Sequence, residues 1–274
     1  LTAEYFDDGG ERSAKLAWRM PELDRRDFLD LYGEAGEAVR SCDVTVAVVG
    51  INKSIEREGQ DRTTIELPQD QQVFIQEVYK ANPNTVVVLV AGSSLALHWE
   101  NAHIPALLNA WYPGEQGGTA VAEALFGDYN PGGRLPLTYY NALEELPPFD
   151  DYDIRKGRTY QYFKGNPLYP FGYGLSYTDF AYQKLNVRTE ADTLWVDFTL
   201  ANAGKRDGDE VAQVYIQFPQ TEEQMPVKQL KGFRRVTVMK GKKVKVSIPI
   251  CKQDLRIWDE QQEKFVTPSG KYNI

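Results

Sequence analysis

The chain has 274 residues, 42% of them hydrophobic and 12% aromatic, which is ample material for packed cores and, at roughly 100–200 residues each, about two domains. Lys and Arg number 31 against 39 Asp and Glu, a net charge of -8; this counts against nucleic acid, whose phosphates need clustered cations to displace counterions, and against an anionic membrane surface. The longest apolar run, Thr85 to Ala91, falls well short of the roughly 20 residues that span a bilayer, so no membrane span is expected.

The first 21 residues read as two short strands, LTAEYF and AKLAWRM, joined by the turn-rich DDGGER and stopped by Pro21. A lone hairpin is not stable by itself, so its partner strands are expected in further polypeptide. Leu1 is not an initiator and no charged-then-apolar leader follows it, as expected for the middle of a longer chain. The spacing of Phe28, Leu31, Tyr32, Ala35, Ala38 and Val39 predicts a helix from Asp24 to Ser41. Val44 to Gly50, VTVAVVG, has the continuous apolar character of a parallel strand buried on both faces.

The alternation then repeats. Residues 70–81 form a predicted helix after Pro68, ended by Asn82-Pro83-Asn84, and Thr85 to Ala91 is a second buried strand. Ser94 is placed to cap a short helix in LALHWE, Ile104 to Trp111 is a third strand, and Gly117 to Phe126 is a helix closed by Gly127. Strands and helices alternating with crossovers of this length imply a mostly parallel sheet with helices on both faces. In such sheets chemistry collects in the loops beyond the carboxyl ends of the strands. Residues 130–178 are a Pro, Gly and Tyr-rich stretch, long for a loop, whose aromatic density suggests a packed wrap.

After Phe180 the period changes to two. AYQKLNV, LWVDFTLAN, EVAQVYIQF, KQLKGFRRVTV, KVKVSIPI and a last segment entering GKYNI read as strands of an all-β sandwich of the immunoglobulin or fibronectin type III kind. Lys240, Lys242, Lys243 and Lys245 fit a solvated edge strand protected by lysine better than a binding patch. Cys42 and Cys251 make neither a disulfide framework nor a zinc spacing and read as two buried thiols. His98 and His103, the only histidines, have no metal-ligand cluster and no nucleophile beside them, so neither a metal site nor a Ser/His/Asp triad is expected, and no cofactor.

The densest candidate for chemistry is the loop after the first buried strand, which places Glu56, Glu58, Asp61 and two arginines, Arg57 and Arg62, within seven residues. Carboxylates near cations can supply one group for proton transfer and others that fix its orientation and pKa. By composition alone, solvated salt bridges worth little are the commoner outcome for such a loop. GEQGG at 114–118 lacks the order of a phosphate-binding loop and reads as a tight strand-to-helix turn. Trp99, Trp111 and Tyr112 can stack on sugars, with core burial the simpler reading.

GINKSIEREGQDRTTIELPQDQQ, then NTVVVLVAGSSL, AWYPGEQGGTAVAEALFGDYNPGGRLPLTYY, GRTYQYFKGNPLYPFGYGLSYTDF and VKQLKGFRRVTV, in this order, together resemble glycoside hydrolase family 3 from about residue 24 onward. The resemblance implies a retaining, exo-acting β-glycosidase built from a TIM-like barrel, an α/β sandwich and a fibronectin type III-like domain. It implies that the nucleophilic Asp lies in the barrel, outside this chain, and that the general acid/base is the Glu of a Glu-Gly-x-Asp-Arg loop. That pattern falls on Glu58-Gly59-Gln60-Asp61-Arg62, making Glu58 the acid/base, Glu56 the reserve candidate, and Asp61 and Arg62 substrate-binding or loop-fixing residues. Donation at neutral pH calls for a raised carboxyl pKa, from burial or a negative neighbour such as Glu56, with the arginines turned elsewhere.

The domain division expected from this resemblance is 1–21 as the last strands of an inserted carbohydrate-binding β-sandwich, 22–140 as the α/β sandwich, 141–180 as the aromatic connector and 181–274 as the fibronectin type III-like domain. The implied partners are an oligosaccharide or aryl β-glycoside substrate and the N-terminal barrel of the same enzyme. SIERE and GRTYQYFKGNPLYPFGYGLSYT resemble the β-xylosidase branch more than the β-glucosidase branch, while Gly59 resembles the latter. β-Xylosidase is therefore placed ahead of β-glucosidase, with a non-catalytic carbohydrate-binding or structural module as the alternative of another class. Secretion or a periplasmic location is expected for a polysaccharide hydrolase of this kind.

Overall fold

A computed structural model describes residues 29, 33–219 and 225–274, together with the backbone of two strands, β1 (Thr2–Asp7) and β2 (Arg12–Ala17). β1 and β2 form the antiparallel hairpin expected of the first 21 residues, with Thr2 opposite Ala17. Of the helix predicted from Asp24 to Ser41, only α1 (Glu34–Ser41) is seen: Gly33, at φ 47° and ψ -115°, is not helical and breaks the predicted run, and residues 24–28 and 30–32 lie outside the described residues.

A three-stranded parallel sheet follows, in the order β3 (Thr45–Gly50), β4 (Thr85–Val90), β5 (Ala106–Asn109). α2 (Gln69–Ala81) buries Val73, Ile75 and Val78 and packs on β3 and β4, with α1 packed against it. The helix begins directly after Pro68 and ends at Asn82, whose buried amide donates to the carbonyls of Val39 and Cys42 and so ties the end of α1 to the end of α2. α4 (Gly117–Phe126) has the predicted limits, and Gly127 closes it at φ 79°, a left-handed position that suits glycine. No helix among the described residues is long and apolar enough to cross a membrane.

Three further expectations need correction. β4 is buried along most of its length, but β3 is not buried on both faces: Ala47 and Val49 are buried while Val46 and Val48 are 45% and 62% exposed. β3 is the edge of the three-stranded sheet, and the described residues cover only one of its faces. Ser94 caps nothing, because α3 (His98–His103) starts four residues later, after Leu97, without a side-chain cap. Cys42 is exposed and Cys251 half-buried; Cys42 follows the exposed end of α1, and its thiol lies 3.3 Å from the Thr45 hydroxyl.

The second domain is antiparallel throughout. β6 (Phe180–Glu190), β7 (Thr193–Asn202) and β10 (Lys243–Cys251) form one sheet in the order β10-β7-β6, and β8 (Gly208–Ile216) pairs with β9 (Gln229–Val238). Alternate residues of β7, β8 and β10 point inward, so that Phe198, Leu200, Val214, Ile216, Val246 and Ile248 meet in a common core. β10 is an edge strand with Lys243 and Lys245 exposed, as the lysine run predicts. A small hairpin of β11 (Ile257–Asp259) and β12 (Lys264–Val266) follows, and Asn273 pairs with Gln217.

The aromatic connector is a wrap. Tyr139 and Tyr169 exchange backbone hydrogen bonds, and the Tyr160 ring stacks on Phe171 at 4.2 Å and meets the edge of Tyr215 on β8. The Leu230 N–H donates to the Tyr160 hydroxyl and Arg134 pairs with Glu210 at 2.5 Å, both groups nearly buried. Within the sandwich, buried Asn202 is saturated: its amide donates to the Arg206 and Val238 carbonyls, and its oxygen accepts from the Thr178 hydroxyl and the Gly204 N–H. Asn202→Ala leaves those four groups without a partner and is expected to cost about 2–3 kcal/mol, seen as a lower urea midpoint with an unchanged slope. A loss under about 1 kcal/mol would show that the groups find other partners.

Candidate active-site loop

The parallel strands bring three loops to one edge of the sheet, at their carboxyl ends: residues 51–62 after β3, 91–97 after β4 and 110–116 after β5. The first is steered by Gly50, at φ 154°, where a Cβ would come within 1.8 Å of the Val90 carbonyl oxygen. No other residue allows β3 to end so close to β4. The Gln71 side chain then clasps the Gly50 backbone in both directions, accepting from its N–H at 2.7 Å and donating to its carbonyl at 2.8 Å.

Beyond Ile51 the loop makes its own supports. Asn52 accepts the N–H and hydroxyl of Ser54 on its side chain, and the N–H groups of Ile55 and Glu56 on its carbonyl. Residues 57–60 form a β-turn in which the Gln60 N–H reaches the Arg57 carbonyl at 3.0 Å, with Gly59 at φ 73° in the third position. The Gln60 side chain reaches back to the Ser54 carbonyl at 3.0 Å. Glu58 is thereby displayed at the tip of the turn, exposed, and among the described residues its carboxylate makes no hydrogen bond or ion pair.

Glu56, two residues earlier, has the opposite surroundings. One oxygen accepts from the Tyr112 hydroxyl at 2.9 Å and the Gly92 N–H at 3.2 Å; the other accepts from the Ser93 hydroxyl and lies 3.5 Å from the Arg62 guanidinium. The Glu56 and Arg62 side chains are only 18% and 13% exposed. Burial disfavours the Glu56 anion, but the Ser93 and Tyr112 hydroxyls, Arg62 and the Gly92 N–H together outweigh it and hold the carboxyl below its ordinary range. Arg62 also donates to the Ser93 hydroxyl at 2.8 Å and the Ser94 carbonyl at 3.0 Å.

Arg62, through Glu56, Ser93 and Ser94, ties the end of this loop to the loop after β4. Asp61 is exposed and holds nothing among the described residues. The partners the sequence reading overlooked are Ser93 and the Tyr112 hydroxyl; the available signal was that loops after adjacent parallel strands converge. Trp99 stacks on His103 at 4.4 Å, and His98 contacts the Asn141 carbonyl. GEQGG is the tight turn expected, closed by the Gly117 N–H on the Gly114 carbonyl. Glu100, buried on α3, is a carboxyl pushed upward by burial, but it is enclosed rather than open to a ligand.

Because its partners hold Glu56 ionised below the ordinary value of 4.5, its contribution to stability is complete above that pH and is lost as the pH falls through the depressed folded-state value. Glu56→Gln is expected to cost about 1–3 kcal/mol at neutral pH and to melt earlier. The gap to the wild type should close as acid protonates Glu56; a gap that stays constant into strong acid would refute the charged state as its source.

Residues 19–177 match the glycosyl hydrolase family 3 C-terminal domain, and residues 210–274 match a fibronectin type III-like domain. The chain is 38% identical over 255 residues to a xylan 1,4-beta-xylosidase of Xylanibacter ruminicola, covering 89% of this chain and 29% of that protein. It is 36% identical over 280 residues to a periplasmic beta-glucosidase of Salmonella typhimurium, covering 96% and 35%. Among solved structures, a beta-glucosidase from Kluyveromyces marxianus superposes with a TM-score of 0.81 at 30% identity, over 96% of this chain and 32% of that one. The chain therefore spans about a third of the length of these relatives. Since the C-terminal-domain match takes in more than half of the residues and the fold and domain order agree with it, the chain belongs to glycosyl hydrolase family 3.

Proposed function

We propose that this chain forms the acid/base-bearing part of a retaining, exo-acting β-glycosidase, with Glu58 as general acid/base. The observation that carries the reading is the contrast inside one loop. Glu56 is held ionised by four neighbours, which leaves it poorly suited to give a proton, whereas Glu58 stands free at the tip of a tight turn on the functional edge of a parallel sheet. The family's nucleophilic Asp would come from the barrel, which lies outside these residues.

In the first step protonated Glu58 gives its proton to the glycosidic oxygen while the Asp carboxylate attacks the anomeric carbon; the C–O bond breaks and the alcohol leaves. In the second step Glu58, now a carboxylate, takes a proton from water as that water attacks the glycosyl ester, which releases the sugar with its configuration retained and regenerates both groups. This chemistry needs the two carboxyl groups about 5–5.5 Å apart. Arg62 and Glu56 would hold the loop while Asp61, exposed beside the turn, is available to the substrate.

Terminal sugars of plant oligosaccharides are the proposed substrates, with xylosides ahead of glucosides on the form of the 54–62 loop and the xylosidase relative. The β-glucosidase reading has its own support in the Salmonella relative and the structural neighbours. Residues 1–21 are proposed to belong to an inserted carbohydrate-binding sandwich, and an exported location accords with the periplasmic relative.

In the full-length enzyme, Glu58→Gln should slow hydrolysis of glycosides with poor leaving groups by about 10²–10⁴-fold, while activated aryl glycosides, which need no proton in the first step, are cleaved at a far smaller loss. Azide should restore turnover by attacking the glycosyl ester and yield a β-glycosyl azide. Equal losses on both substrate types would remove Glu58 from the role.

A further inference from the structure

β5 ends at Asn109, and two residues later the backbone does something expensive. Trp111 has φ 56°, in the left-handed region, where a bulky residue with a Cβ sits at a cost of about 1–3 kcal/mol unless its surroundings impose it. The next side chain shows what the reversal achieves. The Tyr112 ring lies against Gly92 in the loop after β4, and its hydroxyl reaches Glu56 in the loop after β3. Gly92 has to be bare for this: a Cβ there would lie 2.5 Å from a Tyr112 ring carbon and 3.0 Å from a Glu56 oxygen. The ring remains 50% exposed, so burying it recovers only part of the hydrophobic gain open to a tyrosine. The specific product of the conformation is the hydroxyl–carboxylate contact.

That contact completes a three-loop clasp. Gly92 and Ser93 tie Glu56 to the loop after β4, Arg62 ties it to the far end of its own loop, and Tyr112 adds the loop after β5. Glu56 directly precedes Arg57, the first residue of the turn that carries Glu58, so whatever orients the Glu56 carboxylate sets the base from which the turn rises. We propose that Tyr112 is a positioning residue for the general acid/base: its hydroxyl fixes Glu56 and thereby the direction in which the 57–60 turn presents Glu58 to the glycosidic oxygen. The inference rests on the assignment of Glu58 above. Burial, then the hydrogen bond to Glu56 and its charge, raise the Tyr112 pKa above its ordinary value of 10.0, so the phenol keeps its proton and donates at neutral pH.

Tyr112→Phe keeps the ring on Gly92 and removes only the donor. In the full-length enzyme, the ratio of kcat on a poor leaving group (an alkyl glycoside or a disaccharide) to kcat on a 2,4-dinitrophenyl glycoside should fall about five- to tenfold, the rate equivalent of one net hydrogen bond, with little change in KM. Ser93→Ala should move the ratio in the same direction. Adding Tyr112→Phe to Glu56→Ala, which removes the acceptor altogether, should lower it no further, since both act through one side chain. A purely structural tyrosine would lower the melting temperature and slow both substrates alike, and a tyrosine that stacks on sugar would be insensitive to Phe but show a raised KM as Tyr112→Ala; either result overturns the proposal. Glu58→Gln measured in parallel separates the two claims. If it lowers the ratio and Tyr112→Phe does not, the positioning role falls and the acid/base stands; if it leaves the ratio unchanged, both fall.

Discussion

An ionised carboxylate that accepts from donors on two other loops is the constraint on which the carboxyl-end edge of the parallel sheet depends. Loops beyond parallel strands are tethered only at their ends, and nothing in the sheet's hydrogen bonding dictates where their middles go. Glu56 supplies that missing information. Its two oxygens collect a backbone N–H and a hydroxyl from the loop after β4, a phenol from the loop after β5 and a guanidinium from its own loop. The group is nearly enclosed, so each contact is worth more than it would be in water, and the loss of any one leaves the charge less well compensated.

The same constraint gives two identical side chains opposite surroundings. Glu56 and Glu58 are two residues apart, yet one is locked as an anion and the other is left without a partner among the described residues. The separation is made by backbone geometry: the one-turn support on Asn52 points Glu56 inward, and the Arg57–Gln60 turn, with Gly59 in its left-handed position, points Glu58 outward. A carboxylate fixed by its neighbours beside one left unpaired is the arrangement on which the proposed acid/base role draws.

Much of this was legible in the residues. The limits of α2 and α4, the succession of strands and helices along the chain and the change to strands alone after Phe180 follow from periodicity, from Pro68 and from Gly127, because local signals and burial agree there. Periodicity is silent about tertiary cover, which is why β3 reads as buried on both faces although Val46 and Val48 are exposed, and why Cys42 reads as buried. The loop after β3 could be located as the candidate for chemistry but not resolved internally. Its order comes from Ser93 and Tyr112, which lie 37 and 56 residues away from Glu56 in sequence, and a single sequence does not reveal which distant hydroxyls meet a given carboxylate.

The aromatic wrap also governs how the protein comes apart. Lifting the sandwich from the α/β domain would bare the facing rings of Tyr160, Phe171 and Tyr215 and break the Leu230–Tyr160 and Val227–Gln161 hydrogen bonds. Neither domain can therefore loosen without the other losing contacts, and cooperativity extends across a boundary where two separately folded units would otherwise melt independently. Seen this way, residues 130–178 set the size of the unit that unfolds in one step, and a substitution in the sandwich, far from the carboxylates, is felt in the heat resistance of the loop that holds them.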